Sequence, residues 1–392
     1  MVAVLKSQSF LPVLAALTLA AAPAAAQSGA EVDAAVRAGI SRGIYPGAAV
    51  IIGRRDSLLY ARGYGHFTWD QRSPVPTPDS TIWDLASITK IVSTMSAAMR
   101  LVDAGKLDLD APVVKYLPRF TGGLKEQVTV RMLLDHTSGL KSFIPIYQMT
   151  RSKAKATSIL YDQPLTRPPG DSAVYSDLNA LLLGFVVEKV SGTSLDRFAG
   201  REIFAPLGMK ETMFKPPRKL KKRIAPSGMW RGQPVAGEVN DQNAVVFGGV
   251  AGHAGLFSTA ADLARYAQVW LRGGMGSGGR WVSSGTMAEF LSRGAHTGSR
   301  LLGWDTRERA PGELSLFGDL TSDALYGHTG FTGTLLWVDP SRDLFLVFLT
   351  NRSFDPKAAE SVKELRAVRA AVSDVAVRLA SRGCGQEPVS PC

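Results

Sequence analysis

Two short strand pairs at opposite ends of the chain constrain its fold more than any other feature. Ala48 to Gly53 and Leu58 to Gly63 are β-forming runs separated at Arg54-Arg55-Asp56, which reads as a hairpin. Thr334 to Val338 and Leu344 to Leu349 repeat the pattern near the other end, turning at Asp339 to Asp343. Both ends therefore supply one sheet, and the helix-rich middle must form a second lobe. The predicted architecture is an α/β fold of the α+β type: an antiparallel sheet built from both chain ends, a helical insertion at about residues 85–320, and a pocket at the seam. Pro356 to Ser381 reads as a long closing helix, with Val362, Leu365, Val368, Val372 and Val375 on one stripe.

The chain ends carry a different signal. Lys6 precedes an apolar, alanine-rich stretch from Phe10 to Ala22, and Ala24-Ala25-Ala26 precedes Gln27, the pattern of a secretory signal removed after residue 26. The organisation expected is a leader over 1–26, one two-lobed unit over 27–383 and a flexible tail over 384–392. No other stretch approaches the ~20 apolar residues of a membrane span, so the expectation is an exported protein, periplasmic or secreted, with no integral span after cleavage. The only cysteines, Cys384 and Cys392, fall in that tail, where a disulfide and a free, disordered end are both open. The formal charge of +11 suits an anionic setting such as cell-wall polymer, with peptidoglycan a possible partner. The densest basic run, Lys215 with Arg218 to Arg223, reads as a solvated loop, and no aromatic interleaving points to nucleic acid.

Chemistry enters at Asp84-Leu85-Ala86-Ser87-Ile88-Thr89-Lys90-Ile91. Residues at i and i+3 share a helix face, so the Lys90 amine can lie beside the Ser87 hydroxyl. Ile91, Val92, Met95, Ala98, Met99 and Val102 continue at helical steps to Gly105, and Lys90 beside that buried face is expected to have its pKa lowered toward that of a base. Serine needs such a base to become a nucleophile. Two further elements follow in order. Pro169-Gly170-Asp171-Ser172-Ala173-Val174-Tyr175-Ser176-Asp177 places a tyrosine and a carboxylate on a turn before an apolar helix from Leu178 to Val190. Gly327-His328-Thr329-Gly330-Phe331-Thr332-Gly333 opens the second hairpin, whereas the similar His296-Thr297-Gly298 is followed by no convincing strand.

Ser-x-x-Lys, then a Tyr-x-Asn-like triplet, then His-Thr-Gly on a strand resembles the penicillin-recognising serine hydrolases, in their branch of class C β-lactamases, D-Ala-D-Ala carboxypeptidases and family VIII esterases. The resemblance spans about residues 35 to 380 and includes Val130 to Leu140, Ile203 to Met209 and Ala254 to Ala260. It implies Ser87 as nucleophile, Lys90 and Tyr175 as a coupled base, and an oxyanion hole from the backbone N–H groups of Ser87 and Phe331. Asp177, His328, Thr329 and Gly330 would line the substrate site. Apart from the resemblance, the glycine-rich loop around His253 could bring that side chain to the rim, with a structural role equally open. Asp177 stands where lactamases carry an asparagine amide, and His328 where many carry lysine. Those two departures favour small esters or D-alanyl peptides over β-lactams, and a titrating His328 would make recognition pH dependent.

The alternatives are few. No Gly-x-Ser-x-Gly elbow supports an α/β-hydrolase, and no glutamate motif suits class A deacylation. No His-Glu-x-x-His spacing suggests a metal, and no cofactor is expected. A penicillin-binding sensor or wall-binding protein that keeps Ser87 acylated is the rival reading, and His136 is expected to satisfy backbone groups at a helix end.

Overall fold

The first hairpin forms from β1 (Gly47–Gly53) and β2 (Leu58–Gly65), and the far end of the chain adds β3 (Asp305–Thr306), β4 (Tyr326–Thr329), β5 (Leu335–Asp339) and β6 (Leu344–Thr350). This computed structural model describes residues 24–307, 315–355 and 357–381. Most of the expected leader and the tail with Cys384 and Cys392 lie outside those residues. The strands make one sheet in the order β3-β4-β5-β6-β1-β2, antiparallel throughout. Its central pairing joins the two chain ends, with Ala48 opposite Thr350 and Gly53 opposite Phe345.

Five helices pack against the sheet or the segment that follows Ser87: α1 (Ala24–Ser41), α2 (Ser96–Asp103), α3 (Asp177–Ser191), α4 (Ala260–Leu271) and α5 (Val362–Ser381). The two-residue period of the strands sorts their side chains between two cores. Val50, Ile52, Leu335, Trp337, Leu346 and Phe348 pack in the core on the side of α1 and α5. Ala49, Ile51, Leu336, Val338, Val347 and Leu349 join the core of the helical lobe, with α4 against β1, β5 and β6. Burial on both faces explains why β1 and β6 are continuous apolar runs, while β2, at the edge, is largely exposed.

The closing helix differs in detail from its prediction. A 3₁₀ turn, Ala358–Ser361, precedes it, and Val362, at its first position, is exposed. The buried stripe holds Leu365, Val368, Val372 and Val375, and a guanidinium, Arg369, lies on it as well. Arg218–Arg223 form a 3₁₀ turn with no buried residue, as a solvated basic loop should. Among the described residues no single helix is long and apolar enough to cross a membrane.

Candidate active site

Ser87 and Lys90 do not share one regular helix. Ala86–Ile88 form a 3₁₀ turn, Lys90–Met95 a π-helical turn, and only Ser96 begins α2. Wide turns of this kind concentrate at functional sites. Ala86 adopts φ +48°, a left-handed conformation that strains any residue with a Cβ. Asp84 secures it: one carboxylate oxygen accepts the Ala86 N–H at 2.9 Å and the other the Asn240 N–H at 2.7 Å. Burial pushes Asp84 up to about 6 against those two donors.

The expected i, i+3 contact is present. Lys90 Nζ donates to Ser87 Oγ at 2.8 Å and to the His253 carbonyl at 3.1 Å, and its third partner is Asp177 Oδ1 at 2.8 Å. The predicted direction of the Lys90 pKa is corrected by this geometry. Burial by itself would lower it, but the Asp177 carboxylate and the Tyr175 hydroxyl outweigh burial and hold it above the ordinary lysine value. Lys90 is an ammonium here, a donor to Ser87 and not a free base.

Tyr175 sits where the turn before α3 delivers it. Ser176 caps that helix, its hydroxyl accepting from Leu178 and Asn179, so Asp177 is released from capping and turns to Lys90. Around the Tyr175 ring lie Lys90 Nζ at 4.9 Å, Arg300 Cζ at 5.0 Å, and the rings of His136 at 4.9 Å and His328 at 5.8 Å. His136, at φ +65°, meets the expectation that it serves backbone groups: its Nδ1 faces the Ser176 N–H at 3.2 Å and the Asn179 side-chain amide at 3.2 Å. Two donors on Nδ1 put the ring proton on Nε2. Burial, then the charges of Arg300 and Lys90, keep His136 well below its usual pKa, so it is neutral.

His328 is neutral for the same reasons, burial first and then Arg300 and Lys90. Its Nδ1 faces the Thr329 carbonyl at 2.8 Å and so carries the proton, leaving Nε2 as a buried acceptor with no partner among the described residues. The pH switch expected of His328 near neutrality is therefore not what the fold provides. Arg300, which also pairs with Asp305 at 3.3 Å, brings positive charge to the cavity in its place.

The strand end and the serine turn are stitched together. Thr332 Oγ1 donates to the Asp84 carbonyl at 2.8 Å and Thr334 Oγ1 to the Leu85 carbonyl at 3.0 Å. Gly330 lies so close that a Cβ there would meet Thr334 Oγ1 at 2.1 Å and the Leu85 carbonyl at 2.5 Å. Gly330→Ala should therefore cost about 1–3 kcal/mol of stability through overpacking and lower turnover by pushing the strand end off the serine, measured by thermal melts and steady-state rates.

Ser87, Tyr175, Asp177, His328, Thr329, Gly330 and Phe331 all line one cavity of about 630 Å³, joined by Asn240, Asp241 and Arg300. His253 is not at its rim. Its side chain is 1 % exposed, with Nε2 2.9 Å from Asp241 Oδ1, and it reaches the site through its carbonyl. The glycines beside it serve close packing and not motion: a Cβ on Gly252 would lie 1.9 Å from the Ala180 carbonyl of α3. Burial would raise Asp241, but His253 and the Ala244 N–H depress it to about 2. Asp177, Asp241 and His253 present ligand atoms within 4.8 Å of one another, yet the Lys90 ammonium already occupies that corner.

Asp84, Asp241, Arg300, Arg352 and Arg369 escaped the sequence reading. For Arg369 the signal is present, as a charged residue on the apolar stripe of a predicted helix; Arg300 follows His296-Thr297-Gly298, in which Thr297 is buried and the His296 carbonyl accepts from Ala173 N–H at 3.2 Å.

Comparison with known proteins places these features in context. Residues 32–371 match the family model described as Beta-lactamase. A protein from Salmonella schwarzengrund (strain CVM19633) named "Putative D-alanyl-D-alanine carboxypeptidase" is 32% identical over 356 residues, 81% of this chain and 81% of that one. Among solved structures, the fold is similar to that of EstCE1, a hydrolase with promiscuous acyltransferase activity, with a TM-score of 0.70 and 21% identity over 89% of this chain and 99% of that one. It is also similar to a class C beta lactamase, at 0.69 and 19% over 89% and 98%, and to a penicillin-binding protein homolog from Caulobacter crescentus, at 0.69 and 20% over 90% and 97%.

Proposed function

This chain belongs to the beta-lactamase family, and from that premise we propose that it is an exported serine hydrolase that forms an acyl-enzyme on Ser87 with small esters or D-alanyl peptides. The observation that carries the reading is Lys90 Nζ, 2.8 Å from both Ser87 Oγ and Asp177 Oδ1 inside the cavity that Tyr175 lines.

Because Lys90 already donates to Ser87 Oγ, Tyr175 takes the role of proton acceptor, with the Lys90 and Arg300 cations 4.9 and 5.0 Å from its ring centroid. Ser87 Oγ attacks the substrate carbonyl carbon as its proton passes to Tyr175. The oxyanion that forms is received by the N–H groups of Ser87 and Phe331. Collapse breaks the bond to the alcohol or amine, which leaves with the proton from Tyr175. Water then repeats the sequence on the ester and frees the enzyme.

Substrate preference follows from charge. His328, neutral and presenting an acceptor, is a poor partner for a carboxylate, so Arg300 is the cation for a terminal carboxylate. Asp177, engaged by Lys90, offers no amide donor to the acylamide of a β-lactam. Peptidoglycan stem peptides fit this chemistry and the basic charge of the protein.

The test is intact mass and peptide mapping after a fluorophosphonate probe, alongside rates on a chromogenic short-chain ester, a D-alanyl-D-alanine peptide and a cephalosporin at pH 6 and pH 8. The expected result is one adduct on Ser87, turnover of ester or peptide above that of cephalosporin, and substrate affinity little changed between the two pH values. A lasting penicillin adduct with no turnover would favour the sensor reading, and labelling at another serine would overturn the assignment.

A further inference from the structure

We propose that Arg369 is a positioning residue for the oxyanion hole, holding by its carbonyl the same peptide group whose N–H receives the substrate oxygen. The inference rests on the proposed role of the Phe331 N–H. Gly330 and Phe331 are joined by one peptide unit, with the Gly330 carbonyl at one end and the Phe331 N–H at the other. Arg369 donates from Nη2 to that Gly330 carbonyl at 2.6 Å and to the Thr334 carbonyl at 2.9 Å, bridging the two sides of the turn after β4. Gly333 N–H adds a second donor to the Gly330 oxygen at 3.1 Å. On the next peptide, Arg352 donates to the Phe331 carbonyl from Nε at 3.0 Å and Nη2 at 2.5 Å, its guanidinium 4.6 Å from the Phe331 ring centroid.

Placing a cation here is costly and calls for a reason. Arg369 is 7 % exposed, and among the described residues no carboxylate pairs with it. Burial, then the charge of Arg352, pull its pKa down to about 9, still protonated at neutral pH. A buried cation without a counter-ion, bonded to backbone carbonyls, does two things to the peptide it grips. It fixes the plane, so that the N–H keeps one direction, and it draws electron density toward the carbonyl oxygen, which makes that N–H a stronger donor. The benefit is greatest when a full negative charge develops opposite the N–H, in the transition state and not in the bound substrate. Leu85 and Ala86 pack against Gly330 from the other side, so the gripped peptide is set directly against the turn that carries Ser87.

The experiment compares wild type with Arg369→Lys and Arg369→Met for kcat, KM, melting temperature, and affinity for a boronic acid that forms a tetrahedral adduct on the nucleophile. Arg369→Met should lower kcat by ~10–100-fold, approaching the loss of one oxyanion donor, with KM within ~3-fold. Boronate affinity should fall in parallel with kcat/KM, and Arg369→Lys, which keeps a charged donor, should recover part of both. Wild-type kcat and boronate affinity in a folded Arg369→Met, or a loss confined to melting temperature or KM, would overturn the proposal. Should Arg369→Met fail to fold, Arg369→Gln, which keeps a donor and removes the charge, takes its place: kcat and boronate affinity equal to wild type would overturn the proposal. A wild type that forms no boronate adduct and keeps its turnover after Ser87→Ala would instead refute the reading of the site itself.

Discussion

Ser87→Ala, Lys90→Ala and Tyr175→Phe should each lower turnover ~10³-fold or more, and the Lys90→Ala/Tyr175→Phe double variant should be no slower than the worse single. The reason is that in the proposed mechanism the three groups form one proton path. Lys90 donates to Ser87 Oγ and lies 4.9 Å from the Tyr175 ring centroid, so on that mechanism neither proton partner would retain its function without the other. Steady-state rates on a chromogenic ester measure the effect, with thermal melts run beside them because Lys90→Ala also strands the Asp177 carboxylate. Losses that multiply across the double variant would show that Lys90 and Tyr175 act independently.

Asp177→Asn is expected to change stability and substrate choice together. It removes the carboxylate whose attraction, together with that of Tyr175, outweighs the burial of Lys90, leaving that ammonium 5 % exposed without its ion-pair partner. Breaking a buried pair in this way costs about 3–5 kcal/mol. The sign with pH follows. In the wild type the raised Lys90 pKa contributes stability that is complete below the ordinary lysine value and fades only as pH climbs through the folded value. In the variant only Tyr175 still opposes burial, the folded value falls, and the stability tied to protonated Lys90 is lost at a lower pH than in the wild type. The wild-type advantage is largest while Lys90 is protonated in both proteins, so melts at pH 7 and pH 10 should show the gap between them narrowing at the higher pH. The new amide also supplies the donor that a β-lactam acylamide needs, so the ratio of cephalosporin to ester turnover should rise ~10-fold, a difference of about 1.4 kcal/mol and within the range of one buried hydrogen bond. An unchanged ratio would sink the account of Asp177 as the selector.

What the sequence disclosed and what it concealed divide along the range of the interactions involved. The strand pairs, the Ser87–Lys90 contact and the turn bearing Tyr175 depend on spacings of two to four residues, and local pattern carries them. For Lys90, the apolar neighbours close in sequence point to a lowered pKa, whereas the carboxylate of Asp177 and the hydroxyl of Tyr175, which reverse it, come from the turn and first residue of α3. His253 is hidden for a similar reason: a run of glycines signals freedom or tight packing equally well, and only the Ala180 carbonyl against Gly252 distinguishes them. His328 looked like a switch in sequence, yet burial and two nearby cations from distant segments silence it.

The central strand pairing has a consequence for how the molecule comes into being. Gly47 N–H donates to Asn351 Oδ1 across 304 positions, and β1 finds its partner β6 over the same span. Closing so long a loop is entropically unfavourable, and folds dominated by such distant contacts assemble slowly. During synthesis the first hairpin must wait, with the bonding edge of β1 uncovered, until almost the whole polypeptide has left the ribosome. Shortening the chain before β6 would thus orphan its beginning as surely as its end, and nascent or truncated forms should be the aggregation-prone species of this protein.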